Sequence, residues 1–246
     1  MIDFDNVTRR YGRRVAVDRL TLNVPAGELF ALLGPNGAGK TTTIKMLTGL
    51  LRPMEGSVRV CGHDVMTDTR LATHSIGYVP EEPFLYDKLS GREFLEFVAE
   101  MRGLDRRVVA DRIRRECEYF ELGDFIDDLT ETYSHGMRQR LVFSSALLHD
   151  PPVLVIDEPM VGLDPRSVRA VKDRLHDQAA AGSTVFMSTH TLAIAEEISD
   201  RIGIMDRGQL HFLGTVSELQ SELASRHTSL ERLFLELTNG HLRAEG

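Results

Sequence analysis

The chain has 246 residues, 42% hydrophobic and 27% charged, which suits one large or two small globular units with a real core. Its 37 acidic residues outweigh 29 basic ones for a net charge of -8, and that balance argues against a nucleic acid partner held by overall charge. No apolar run approaches the ~20 residues that cross a bilayer. Met1-Ile2-Asp3 begins no basic-then-apolar leader, and Cys61 and Cys117 lack metal-ligand spacing and suit a reduced interior. The expectation is a soluble, cytoplasmic chain that needs another polypeptide to provide any membrane span.

In chain order, strand candidates fall at residues 28–33, 57–61, 76–79, 153–157, 184–188 and 201–205. Two of them, Phe30-Ala31-Leu32-Leu33 and Val153-Leu154-Val155-Ile156, are apolar on both faces, as parallel strands covered by helices must be. Strand and helix patterns alternate over residues 1–81 and 151–213, which predicts an α/β core with a largely parallel sheet. Residues 82–150 break that rhythm. Ser90-Gly91-Arg92-Glu93 is a capping box that opens a helix, and further helices are predicted over 105–121 and 134–149, so this stretch reads as a helical insert. Basic residues from Arg102 to Arg115 alternate with Asp105, Asp111 and Glu116, the pattern of a solvated helix face. Capping boxes at Thr215-Val216-Ser217-Glu218 and Thr228-Ser229-Leu230-Glu231 predict two helices in an appendage over 214–246.

Gly34-Pro35-Asn36-Gly37-Ala38-Gly39-Lys40-Thr41 fits G-x-x-x-x-G-K-[ST], and Thr42 continues it into a helical run. It follows an apolar strand, as a phosphate-binding loop must. Its glycines let successive N–H groups face phosphate oxygens at the positive end of a helix. Lys40 then reaches the β- and γ-phosphates of ATP, and Thr41 offers its hydroxyl to Mg²⁺. A stray lysine in a Gly-rich turn has no reason to lie between strand and helix. Further on, Val153 to Ile156 runs into Asp157-Glu158-Pro159. Asp157, at the strand's end, is placed to hold Mg²⁺. Strand alternation sends Glu158 elsewhere, where it can take a proton from a water attacking the γ-phosphate.

Tyr133-Ser134-His135-Gly136-Met137-Arg138-Gln139-Arg140 resembles the L-S-G-G-Q signature of the ABC transporter ATPases, with Ser134 and Gly136 matching and Tyr133, His135 and Met137 departing. Gly162-Leu163-Asp164 is similar to that family's D-loop, Ser188-Thr189-His190 to its switch-histidine loop, and Tyr11 to the aromatic residue that stacks on adenine. The ordered set spans Tyr11 to His190. The resemblance implies a dimer with ATP at its interface, in which Ser134, Gly136 and Asp164 act on the nucleotide held by the other subunit and His190 contacts the γ-phosphate. Ser134 looks like a helix N-cap, which fits anion binding. Where the family has glutamine beside the metal, this chain has Glu81, after Ile76-Gly77-Tyr78-Val79-Pro80; a carboxylate still suits a hard cation.

Pro80-Glu81, the signature variant and Ser229-Leu230-Glu231-Arg232-Leu233-Phe234-Leu235-Glu236-Leu237 resemble a branch serving bacterial exporters with a separate membrane subunit. The expected function is an ATPase that powers such a transporter, with Phe84, Leu85 and Tyr86 near the docking surface for the permease. The alternative is an ABC ATPase acting on ribosomes or nucleic acid. One P-loop, the lack of sustained heptads and the acidic balance count against it. A non-hydrolysing regulator is expected to lack Glu158 or His190, and both are present.

Overall fold

The computed structural model describes residues 1–160 and 162–225. The chain opens with β1 (Ile2–Tyr11) and β2 (Arg14–Val24), an antiparallel pair joined by a tight turn. Sequence reading passed over both strands. Their apolar residues are spaced irregularly, because register shifts between Phe4 and Arg10 interrupt the alternation that marks a half-buried strand. Next comes β3 (Leu29–Leu33), buried at every position, followed by α1 (Lys40–Leu47). The strand β4 (Glu55–Val60) joins the edge of β1, with the short β5 (His63–Asp64) beyond it. This completes an antiparallel sheet in the order β2-β1-β4-β5. Cys61, expected at the end of β4, instead occupies the following turn with φ 53°.

A helical turn, α2 (Thr69–His74), leads into β6 (Ile76–Val79). The insert then supplies α3 (Gly91–Met101), α4 (Arg106–Tyr119), a 3-10 turn (Thr130–Thr132) and α5 (His135–Leu147). The capping box of α3 forms in full: Ser90 accepts from the Glu93 amide, and Glu93 accepts from the Ser90 amide. The chain returns to the sheet with β7 (Val153–Asp157), α6 (Pro165–Ala180), β8 (Thr184–Thr189), α7 (Leu192–Ile198) and β9 (Arg201–Asp206). The last described elements are β10 (Gln209–Thr215) and α8 (Val216–Ser225), whose start carries the Thr215–Glu218 capping box. The helix expected after Thr228 lies outside the described residues.

The second sheet has the order β10-β9-β3-β8-β7-β6 and is parallel except at β10. Between the two sheets lies one apolar cluster: Ile44, Met46 and Leu47 of α1 meet Phe4 of β1, Phe30 of β3 and Phe186 of β8. The other face of the parallel sheet carries a second cluster. There Leu29, Ala31, Leu154 and Val171 share one core with Leu95, Ile113, Phe120 and Phe143 of the insert. The insert therefore has no separate core of its own.

The basic stretch of the insert departs only in part from the solvated face expected of it: Arg106, Arg107 and Arg114 are exposed, while other members turn inward. Arg102 donates to the carbonyls of Thr73 and Ile76, which fastens the insert to the core, and Arg112 donates to that of Leu148 within the insert. Glu116 is fully buried, 2.9 Å from both Arg115 and Arg174, the latter on α6. Burial pushes its carboxyl above the ordinary glutamate range, against the opposing pull of Arg174 and Arg115. Arg174 also lies over the Tyr119 ring, 4.6 Å from its centroid. Helical periodicity alone marks a charged residue as outward, and only the packing of α6 on α4 turns this one inward.

Candidate functional site

The parallel register places the ends of four neighbouring strands along one edge. Leu33 is level with Thr189, Asp157 with Ser188, and Val79 with Ile156. The residues that follow β3, β8, β7 and β6 are therefore the P-loop, His190, Glu158 and Pro80-Glu81. This edge, outside the carboxyl ends of parallel strands, is where such folds bind ligands.

The P-loop turns tightly against the body of the protein. A side chain on Gly34 would place its Cβ 2.2 Å from the Met205 carbonyl oxygen. Gly39 has φ 117°, and a Cβ there would meet the Ala16 carbonyl oxygen at 2.4 Å. Neither position tolerates a larger residue without moving backbone. Between them Ala38 donates its amide to the Pro35 carbonyl at 3.1 Å, leaving Asn36 and Gly37 at the exposed crest. Arg14 braces that crest by donating to the Gly37 carbonyl at 3.1 Å. Beside it is a cavity of about 380 Å³ lined by Tyr11, Arg14, Gly37, Lys40, Thr41 and Thr42. Tyr11 is 49% exposed there, with the Arg9 guanidinium 5.2 Å from its ring centroid.

Lys40 is buried, and its ammonium group donates to the carbonyls of Gly34 at 2.7 Å and Pro35 at 3.3 Å. Its third neighbour is Glu158 Oε1 at 3.4 Å. The other oxygen of Glu158 meets His190 Nδ1 at 2.9 Å and the His190 amide at 3.3 Å. Lysine, glutamate and histidine thus converge from three strand ends. The alternation argument does not account for how Glu158 points. The strand β7 stops at Asp157, and Glu158 has φ 51°, a left-handed conformation that swings its side chain over the P-loop lysine.

Asp157 is buried at the end of β7 and accepts a hydrogen bond from the Ser188 hydroxyl. Ser188 carried no role in the sequence reading beyond membership of its loop, because a serine near a strand end is common. Burial and the Ser188–Asp157 hydrogen bond single it out. Tyr78, on β6, links Asp157 to Glu81: burial first, then the charges of both acids, push its phenol up to about 12. Asp157 and the exposed Glu81 therefore share one electrostatic neighbourhood. Buried carboxylate oxygen at Asp157, hydroxyl oxygen at Thr41 and carboxylate oxygen at Glu81 are the hard donors that suit Mg²⁺, so the residues fit that ion.

The remaining expected residues stand apart from this cluster. Ser134 caps α5, accepting from the Met137 amide at 3.3 Å, and a Cβ on Gly136 would meet nothing within 4 Å. Asp164 caps α6 through the amides of Arg166 and Ser167, with its carboxyl held below the ordinary range first by the Ser167 hydroxyl. Among the described residues no hydrogen bond or ion pair joins these three to the P-loop. Tyr133, a departure from the signature consensus, is buried and donates to the Phe125 carbonyl at 2.6 Å, so it serves the insert's packing. A Cβ on Gly162 would come 2.6 Å from His135, which brings the signature and D-loop segments of one chain into contact. Sequence reading treated the two segments separately, since nothing in their spacing shows that they touch.

The family model described as ABC transporter matches residues 17–161. The daunorubicin/doxorubicin resistance ATP-binding protein DrrA of Streptomyces peucetius is 39% identical over 99% of this chain and 72% of its own length. A Nod factor export ATP-binding protein of Burkholderia orbicola is 38% identical over 85% of this chain and 68% of its own. Among solved structures, an ATP-binding subunit of an ABC transporter superposes with a TM-score of 0.90 at 32% identity, covering 96% of this chain and 99% of that one. A dimeric bacterial ABC transporter cassette gives 0.81 at 25% identity over 88% and 99%. With the P-loop, the acidic strand end and the histidine assembled at one sheet edge, the chain belongs to the ABC transporter family, as an ATP-binding subunit that couples ATP hydrolysis to transport.

Proposed function

We propose that this chain is the Mg-ATPase of an exporter and works as a dimer that closes around ATP and reopens on hydrolysis. The convergence of Lys40, Glu158 and His190 carries the reading. ATP lies with its base on Tyr11 and its phosphates in the amide cradle of residues 34–41, where Lys40 binds the β- and γ-phosphates. Mg²⁺, when bound, draws charge from the phosphate oxygens and orients them. Thr41, Asp157 and Glu81 would hold it. Glu158 takes the proton of the attacking water, and His190 steadies the γ-phosphate from the neighbouring strand end.

Ser134, Gly136 and Asp164 complete the site across the dimer interface. Their separation from the P-loop within one chain supports that role, as does the likeness to a dimeric cassette. In that arrangement the start of α5, the positive end of its dipole, faces the phosphate of the partner's nucleotide. The export direction rests on the relative that exports Nod factor. Among the described residues no helix is long and apolar enough to cross a membrane, so a separate permease provides the path and holds this chain at the inner face of the membrane. Phe84 and Tyr86, 73% and 48% exposed, form the docking surface with Phe97, while Leu85 turns inward at 5%.

The test compares Mg-ATP hydrolysis and oligomeric state for the wild type and Glu158→Gln. The variant is expected to bind ATP, to lose roughly 100-fold or more of its turnover as an activated-water enzyme without its base, and to accumulate as a dimer. Hydrolysis at the wild-type rate removes Glu158 as the base. A variant that stays monomeric with ATP bound removes the homodimeric sandwich.

A further inference from the structure

The two acids of the site have a common neighbour that no role so far explains. Ser188 lies on β8 and is level with Leu32 on one side and Asp157 on the other. It is fully buried. Its hydroxyl donates to Asp157 Oδ1. Ser188 Oγ in turn accepts from the Glu158 amide at 3.2 Å, and the Ser188 carbonyl accepts from that amide at 3.2 Å as well. One residue thus binds the side chain of one acid and the backbone of the next.

The Glu158 backbone needs such a holder. A non-glycine residue at φ 51° is disfavoured and persists where surrounding bonds fix it. The amide held by Ser188 lies on the peptide that enters this turn, and the turn aims the carboxylate at Lys40 and His190. The hydroxyl also fixes one oxygen of Asp157, and hence the orientation of the other. A hydroxyl has one proton to give and lone pairs to accept with, so it can serve both acids at once.

We infer that Ser188 is a positioning residue for the Asp157–Glu158 pair, fixing the Asp157 carboxylate for the metal and the left-handed turn that aims Glu158. Fully buried behind the two acids, it acts through them. The inference rests on the reading of Asp157 as metal ligand and Glu158 as base. A partner behind a metal ligand is typically worth roughly 10- to 100-fold in metal affinity or activity.

The experiment uses the full chain with Ser188→Ala, Ser188→Cys and Ser188→Thr. It measures turnover against Mg²⁺ concentration, binding of a fluorescent ATP analogue in EDTA, and thermal stability. Ser188→Ala is expected to lower kcat by roughly 10-fold or more and to raise the Mg²⁺ needed for half-maximal rate. Binding in EDTA, which depends on the P-loop, should stay within about twofold of wild type. Ser188→Cys keeps the volume but donates weakly and should behave like alanine. Ser188→Thr keeps the hydroxyl and should recover most of the lost turnover.

Unchanged kcat and Mg²⁺ dependence in Ser188→Ala overturn the inference. So does an equal loss of binding in EDTA, or a stable Ser188→Thr chain no better than alanine, since either means a merely structural serine. Glu158→Gln separates the two levels. If that variant is inactive while Ser188→Ala is normal, Ser188 alone is misassigned. If it hydrolyses at the wild-type rate, the reading of the acids falls and the inference falls with it.

Discussion

Tyr11 shows how much a single side chain can be asked to do at this site. Half of its surface is exposed beside the cavity next to the P-loop, and one face of its ring is already covered by Arg9. If ATP stacks here, its base has the other face. Stacking of a base on an aromatic ring is worth about 1–3 kcal/mol, so Tyr11→Ala should weaken ATP binding roughly 5- to 150-fold while Tyr11→Phe leaves it close to wild type. Equilibrium binding of ATP in EDTA measures this, and equal affinity for alanine and tyrosine would remove Tyr11 from the base site. The P-loop residues were legible in the sequence because the motif lies between a strand and a helix, and such a context leaves one conformation for the glycines. Ser188 was not, because its role follows from a cross-strand register that no local pattern encodes.

At the scale of elements, the contact between α4 and α6 is the one most exposed to a single change. Glu116 and Arg174 form a buried ion pair between the insert and the helix that follows the D-loop. Removing one partner leaves the other's charge buried, at a cost of about 3–5 kcal/mol. Arg174→Ala should lower the unfolding free energy by an amount in that range, measured by urea denaturation. A change within error would mean that Arg115, also 2.9 Å from Glu116, neutralises it alone. Sequence periodicity found α3, α4 and α5 because each opens with a residue whose side chain accepts from its own first turn: Ser90, Asp105 and Ser134. The buried side of α4 was misread. Charge is rare inside a protein, and Glu116 is tolerated only because two arginines reach it. The antiparallel pair β1–β2 was also missed, since its register shifts break the alternation that reveals a strand.

At the scale of the whole molecule, an exposed aromatic cluster stands out among the described residues. Phe84 packs edge-on to Tyr86 and Tyr86 edge-on to Phe97, yet all three remain exposed. If the permease docks here, Phe84→Ser should leave the ATPase rate of the isolated subunit unchanged while abolishing co-purification with the membrane subunit. Retained co-purification would place the docking surface elsewhere. The two effects separate because Phe84 lies outside the strand ends that carry Lys40, Glu158 and His190. The α/β class and the interruption by helices were readable from hydrophobic patterning. What patterning did not show is that the insert shares its core with the sheet, because contacts between Leu95 or Phe143 and the strands are long-range. The chain should therefore melt as one cooperative unit rather than as separable parts.

The level ends of the parallel strands carry a further meaning. Side chains alternate from face to face along a strand, so losing one residue between Thr184 and Ser188 would send Ser188 to the opposite face of the sheet and draw His190 back from Glu158. Every functional residue would still be present in the sequence, in the same order, and the site would be gone. The protein stores its chemistry partly as an integer: the length of β8 is an instruction in its own right, and it works as a ruler cut to bring His190 to Glu158.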